Sequence, residues 1–260
     1  MLGDLLLLSG NDIPFPGAQV TLHPPTIKEI AYIGEEAFFT GCGFLDFSKK
    51  ILDNAGKDNL PDYNDFDIFI VIMNRQDPST KQIVENALLV LDLIFPLYSI
   101  EVRIDAIILK QGQQEFQINK NNFTEFKEIL RQVFNLSEKK DVDSEYNPQG
   151  DMAKRIAEKF KKRRETLAKL SGQQKADNDK NFSILSRYIS ILAIGLQKSI
   201  NDLMQYTVYQ LYDEFQRFQL KMQWDAYIQA RMAGAKDLEE VDNWMIDLRD
   251  QGKNKNKNKK

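Results

Sequence analysis

Apolar positions along the chain follow two periodicities, and their order predicts a mainly α, α+β protein. Ile27, Ile30, Ala31, Ile33, Ala37 and Phe38 form one side of a helix. Thr26 and Glu29 supply a capping box at its start, and Gly41-Cys42-Gly43 marks its expected end. A second helix is expected from about Phe44 to Asn54. Asp65–Asn74 fits a buried strand or a short helix by period alone; Asp65 and Asp67 in a first turn favour helix. Another helix runs from Pro78 to Pro96. Ser99–Lys110 then alternates apolar with polar, turns at Gln111-Gly112-Gln113 and returns along Glu115–Ile118. That pattern predicts one small antiparallel hairpin near 99–118. Phe123, Phe126, Ile129, Leu130, Val133 and Phe134 line a further helix.

Beyond residue 136 the pattern thins. Residues 137–150 are polar and acidic and predict a linker between an N-terminal α+β domain, 1–136, and a C-terminal helical domain, 151–250. A helix is expected at Phe182–Leu196. The C-terminal domain is predicted to be a helical bundle built around the stretch from Met204 to Ala235, roughly 45 Å long if wholly helical. Met204, Val208, Leu211, Phe215, Phe218 and Met222 recur at a 4-3-4-3-4 spacing on one side of it. Tyr209 and Tyr212 flank that seam, and Leu220, Trp224, Tyr227 and Ile228 define a second apolar side. A bundle core accounts for the seam. That reading is favoured; the alternative, which can overlap it, is that part of this surface grips a partner helix, because Tyr, Trp and Met carry or adapt such interfaces. Tyr209, Tyr212, Phe215, Phe218, Met222 and Trp224 are the candidate contact residues.

Charge and composition narrow the chemistry. The net charge is −3, but Lys/Asn residues 251–260 hold five lysines; without them the rest stands at about −8. A body that acidic weighs against broad binding to a phosphate backbone, and the tail reads as disordered. Residues 151–170 carry eight basic and three acidic side chains, the best candidate for nucleic-acid contact. Glu158 and Glu165 within the run favour a solvated helix face. One cysteine and one histidine exclude an intrachain disulfide and a multi-histidine metal site. Gly41-Cys42-Gly43 lacks the third glycine of a dinucleotide loop. Loops starting at Asp62 and Asp177 miss the glycine that a calcium loop requires. The expectation is a soluble protein with no catalytic residue, cofactor, metal or membrane span.

Several blocks together resemble a known group. They are Leu22-His-Pro-Pro-Thr-Ile-Lys-Glu-Ile30 with Ile33-Gly-Glu35, Ile118-Asn-Lys-Asn-Asn-Phe-Thr-Glu-Phe126, and Thr207-Val-Tyr-Gln-Leu-Tyr-Asp-Glu-Phe-Gln-Arg217 with Ala230-Arg-Met-Ala-Gly234 and Trp244. In this order they resemble tail assembly chaperones of tailed bacteriophages of Gram-positive hosts, encoded beside the tape measure protein. The resemblance implies a non-enzymatic protein of the host cytoplasm that binds and solubilises the tape measure protein. It further implies recruitment of tail tube protein, homo-oligomerisation and absence from the mature virion. The alternative is a structural virion protein of the tail or head–tail junction.

Overall fold

The computed structural model describes residues 2–47, 64–74, 78, 80–136, 183–235, 241, 243–246 and 248. The expected linker at 137–150, the basic run at 151–170, the loop candidate from Asp177, the first two residues of the one from Asp62 and the Lys/Asn tail lie outside them. By its contacts the chain divides into two units, Met1–Leu136 with Leu185–Lys260, and Ser137–Ile184. Of the second, only residues 183 and 184 are described. The described part of the expected C-terminal domain therefore shares one compact unit with the N-terminal part from Leu185 onward.

The architecture is mainly helical with two small antiparallel sheets, as the periodicities imply. Helix α1 (Asp4–Ser9) ends on Gly10, whose positive φ of 68° reverses the chain. Strands β1 (Ile13–Phe15) and β2 (Val20–Leu22) pair around a 3₁₀ turn at Pro16–Ala18. Helix α2 (Ile27–Ile33) begins at the expected capping box: Glu29 N–H donates to Thr26 Oγ1 at 3.3 Å and Thr26 N–H donates to Glu29 Oε2 at 2.7 Å.

Gly41-Cys42-Gly43 does not end a helix. The break falls earlier, at Gly34, whose φ of 91° is outside helical geometry, and α3 (Glu35–Leu45) runs through both later glycines. Phe44, the expected start of the next helix, belongs to α3. Gly41 lies where α3 crosses the second helix after it, Lys81–Ile94 (α5), at close range. A Cβ at Gly41 would lie 2.5 Å from the Asn86 carbonyl oxygen and 2.7 Å from Val90 Cγ2. The intervening α4 (Asp65–Asn74) is a helix, as its acidic first turn indicated.

The expected Ser99–Lys110 strand is two strands. Arg103 N–H donates to the Ala106 carbonyl at 2.8 Å, closing a tight reversal between β3 (Ser99–Val102) and β4 (Ile107–Gln111). With β5 (Gln114–Ile118) they make a three-stranded meander in place of a single hairpin. One face carries Glu101, Arg103, Lys110 and Glu115 as an exposed charge quartet, in which Arg103 and Lys110 hold the Glu101 carboxyl down at about 2.

The core centres on α6 (Phe123–Val133). All six apolar positions read from the sequence there are buried, through Phe134. Phe123 packs 4.9 Å from Phe69 and 5.1 Å from Phe66; Phe126 stacks on Phe15 and Phe95; Phe134 meets Phe38 edge-on at 5.1 Å. Aromatic pairs at these separations add about 0.5–1.5 kcal/mol each beyond burial. Two cations on the same helix tie in neighbouring elements. Lys127 Nζ, nearly buried, donates to Asp65 Oδ2 at 2.7 Å and to the Phe47 carbonyl at 3.0 Å. Arg131 Nε donates to Asp46 Oδ1 at 2.7 Å, placing positive charge at the C-terminal end of α3.

Candidate functional site

Three further helices are described: α7 (Ile184–Leu196), α8 (Ile200–Met204) and α9 (Val208–Met232). The apolar stretch from Met204 is thus not one helix. Ser199 caps α8, and Thr207 takes extended backbone and caps α9 through a second capping box. Thr207 N–H donates to Gln210 Oε1 at 2.8 Å, and Gln210 N–H donates to Thr207 Oγ1 at 3.3 Å. The periodicity runs across this interruption because Met204 and Val208 both face inward; the break is written in Thr207-x-x-Gln210.

The two capped starts meet. Thr26 and Thr207 form an isolated antiparallel bridge, Ile27 N–H donates to the Tyr206 carbonyl at 2.8 Å, and Gln210 Nε2 donates to the Leu8 carbonyl at 2.7 Å. Glu35 Oε1 accepts from Leu185 N–H at 3.2 Å, at the start of α7. The N-terminal part thereby sets where α9 begins and which way it points.

The six candidate contact residues divide along α9. Phe215 is buried with Val208 and Leu211, and Tyr188 of α7 stacks on it at 3.9 Å with rings 13° from parallel. Tyr212 meets Tyr188 edge-on at 5.3 Å. Burial, together with Tyr188 and Glu35, raises the Tyr212 pKa. Tyr209 is half-buried against the same core. Phe218 is half-buried and lies over Gly195, where a Cβ would come within 2.3 Å of its ring. These four are chiefly packing residues on the proximal half. Met222 and Trp224 lie on the distal half: Met222 is 54% exposed, and half-buried Trp224 packs 5.9 Å from Tyr227. Arg231 lies over the Tyr227 ring, 5.7 Å from its centroid, and Met232 is 83% exposed. The apolar character of α9 therefore continues for about three turns past its last buried residue, Leu220.

Sequence reasoning did not single out the groove beside α9. It has a volume of about 440 Å³ and is walled by Leu8, Leu196, Phe218 and Trp244, with Asp213, Glu214, Arg217 and Lys221 along the helix side. At its edge Lys198 donates to Tyr206 Oη at 2.6 Å and pairs with Glu214 Oε1. Burial works against the Lys198 charge, but the bonds to Glu214 and Tyr206 outweigh it and raise its pKa. Lysine at 198 and glutamate at 214 carry no local signal; only the α7–α8 corner brings them together.

The remaining candidate chemistry is dispersed. Cys42 is fully buried, and burial pushes its thiol above the ordinary range, the opposite of what a nucleophile needs. His23 reaches Asp12 through Nδ1 at 3.0 Å and Glu29 through Nε2 at 3.5 Å, a clasp between the first hairpin and α2. Among the described residues, no group of three or more His, Cys, Asp or Glu is placed to hold a metal ion, and no helix is long and apolar enough to cross a membrane.

No curated protein and no solved structure matches the chain. Residues 174–248 match the family model described as the YomV second domain. That span contains α7, α8 and α9 in full, so the segment bearing the groove and the exposed apolar helix is similar to a phage-associated domain family.

Proposed function

We propose that this protein is a non-enzymatic tail assembly chaperone of a tailed phage. It binds apolar helices of the tape measure protein and keeps them soluble until the tail tube is built around them. The observation that carries the reading is the distal half of α9. Met222, Trp224, Tyr227, Ile228 and Met232 extend its apolar surface beyond the body, inside the stretch that matches a phage-associated family. A chaperone for long amphipathic helices needs such a surface, firmly held at one end and open at the other. Aromatic anchors supply affinity there, and methionines accommodate varied sequences.

Co-expression with a tape measure fragment tests the proposal. The fragment is expected in the soluble fraction with the wild type and in the pellet with a Met222→Asp/Trp224→Ala variant, whose own thermal midpoint stays near wild type because both residues lie beyond the buried core. Equal fragment solubility with and without the wild-type protein removes the reading. Mass spectrometry of purified virions separates it from a structural tail protein, which stays in the particle.

A further inference from the structure

Trp224, Tyr227 and Arg231 follow one another at i, i+3 and i+7, so they share one face of the distal half of α9. Their side chains form a row. The Trp224 ring lies 5.9 Å from that of Tyr227, and the Arg231 guanidinium lies 5.7 Å from the Tyr227 ring centroid. Arg231 Nη1 donates to Tyr227 Oη at 3.2 Å. Ring and hydroxyl together orient the guanidinium and leave its other N–H groups open. Lys221 and Asp225, the other two charges between Lys221 and Met232, are paired with each other. Arg231 is exposed and meets no carboxylate among the described residues, which makes it the one unpaired charge on the open part of the helix.

We propose that the helix bound along this face carries a carboxylate that meets Arg231, two turns from the apolar side chain it lays on Trp224. From Trp224 to Arg231 the axis rises about 10 Å, which is the separation of positions i and i+7 on the bound helix as well. An Asp or Glu at that spacing accepts two parallel N–H bonds from the planar guanidinium. A Lys or Arg there meets like charge instead. The client is therefore an apolar-striped helix with acid at a set place on the stripe, not any apolar helix. This inference rests on the chaperone reading and adds to it the charge of the client.

Two labelled synthetic helical peptides, titrated with the full chain and followed by fluorescence anisotropy, test it. Both carry the same apolar stripe. At the positions seven residues either side of a central leucine, one has Glu and the other Lys, which covers both chain directions. The wild type is expected to bind the Glu peptide at least about threefold more tightly, with the gap narrowing as salt is added. The net charge of −3 by itself favours the Lys peptide, so a preference for Glu reports the local cation. Arg231→Glu should reverse the order, and Arg231→Gln should remove the difference. Should Arg231→Glu fray the last turn of α9 by circular dichroism, Arg231→Gln carries the test. Equal binding of the two peptides by the wild type overturns this inference alone, as does a Glu preference that survives in Arg231→Gln. Binding of neither peptide overturns it too, and the chaperone reading is then decided separately by the co-expression experiment.

Discussion

Gly41 and Gly43 occupy the same helix two residues apart, and exchanging each for alanine separates two effects that usually arrive mixed. In a helix interior Gly→Ala gains about 0.5–1 kcal/mol through backbone entropy, and this gain is similar for both sites. Their surroundings differ. A Cβ at Gly43 meets nothing within 4 Å, whereas one at Gly41 lies 2.5 Å from the backbone oxygen of Asn86 and 2.7 Å from Val90 Cγ2. A carbonyl oxygen in the middle of α5 cannot swing aside as a side-chain tip can. Relief therefore requires the two helices to separate by several tenths of an ångström, in a region where Ala87, Val90 and Leu91 are fully buried. Overpacking of this kind costs about 1–3 kcal/mol and sometimes more. Gly43→Ala is accordingly expected to stabilise by up to about 1 kcal/mol. Gly41→Ala falls about 1–3 kcal/mol below it, because the propensity gains cancel in the comparison. Urea unfolding monitored by circular dichroism measures both, with an unchanged m-value confirming that the native and unfolded states are still being compared. If Gly43→Ala is as damaging as Gly41→Ala, then the pair terminates α3 after all, and the account of the α3–α5 crossing is wrong.

Two further outcomes follow from the charged groups. Lys127→Ala is expected to cost about 1–3 kcal/mol by denaturant melt, because it removes a charged donor from Asp65 and the Phe47 carbonyl; Lys127→Met, which keeps the stem packed on Phe123, should cost less. Glu29 is opposed by burial, but its bonds to Thr26 and its approach to His23 prevail and lower its pKa from 4.5. A depressed carboxyl pKa stabilises the fold above the unfolded value, and that contribution is lost as pH falls through the folded value. The wild-type melting temperature should therefore drop faster than that of Glu29→Gln below pH 4.5, and parallel curves would contradict the assignment.

Much of the fold is legible in the sequence because local chemistry and burial agree. Thr26 and Glu29 sit where a capping box must, and the apolar positions from Phe123 to Phe134 are those the core takes. The misreadings share a cause: the deciding contact is distant in sequence. Period two continues through Arg103–Ala106, so alternation alone carries the strand past a reversal that is fixed by one backbone hydrogen bond, and Ile104 ends 85% exposed. Two glycines around a cysteine look like a stop until α5 lies against them. The seam on α9 identified the correct face, yet spacing cannot say where the body beneath a helix ends, and Met222 lies past that end. Tyr188, which stacks on Phe215, carries no sign of that contact within its own helix.

The contacts that seat α9 also set a timetable for synthesis. Gln210 and the Leu8 carbonyl it binds are 202 residues apart, and Leu185 and Glu35 are 150 apart. At about 5–20 residues per second, the ribosome needs roughly 10–40 s to make that longer span. Throughout that interval Val208, Leu211 and Phe215 do not yet exist, and the apolar surfaces they will cover on the N-terminal part stand open. The N-terminal part thus waits for the helix that covers it, and the Thr26–Thr207 junction is the latch that closes when translation reaches it.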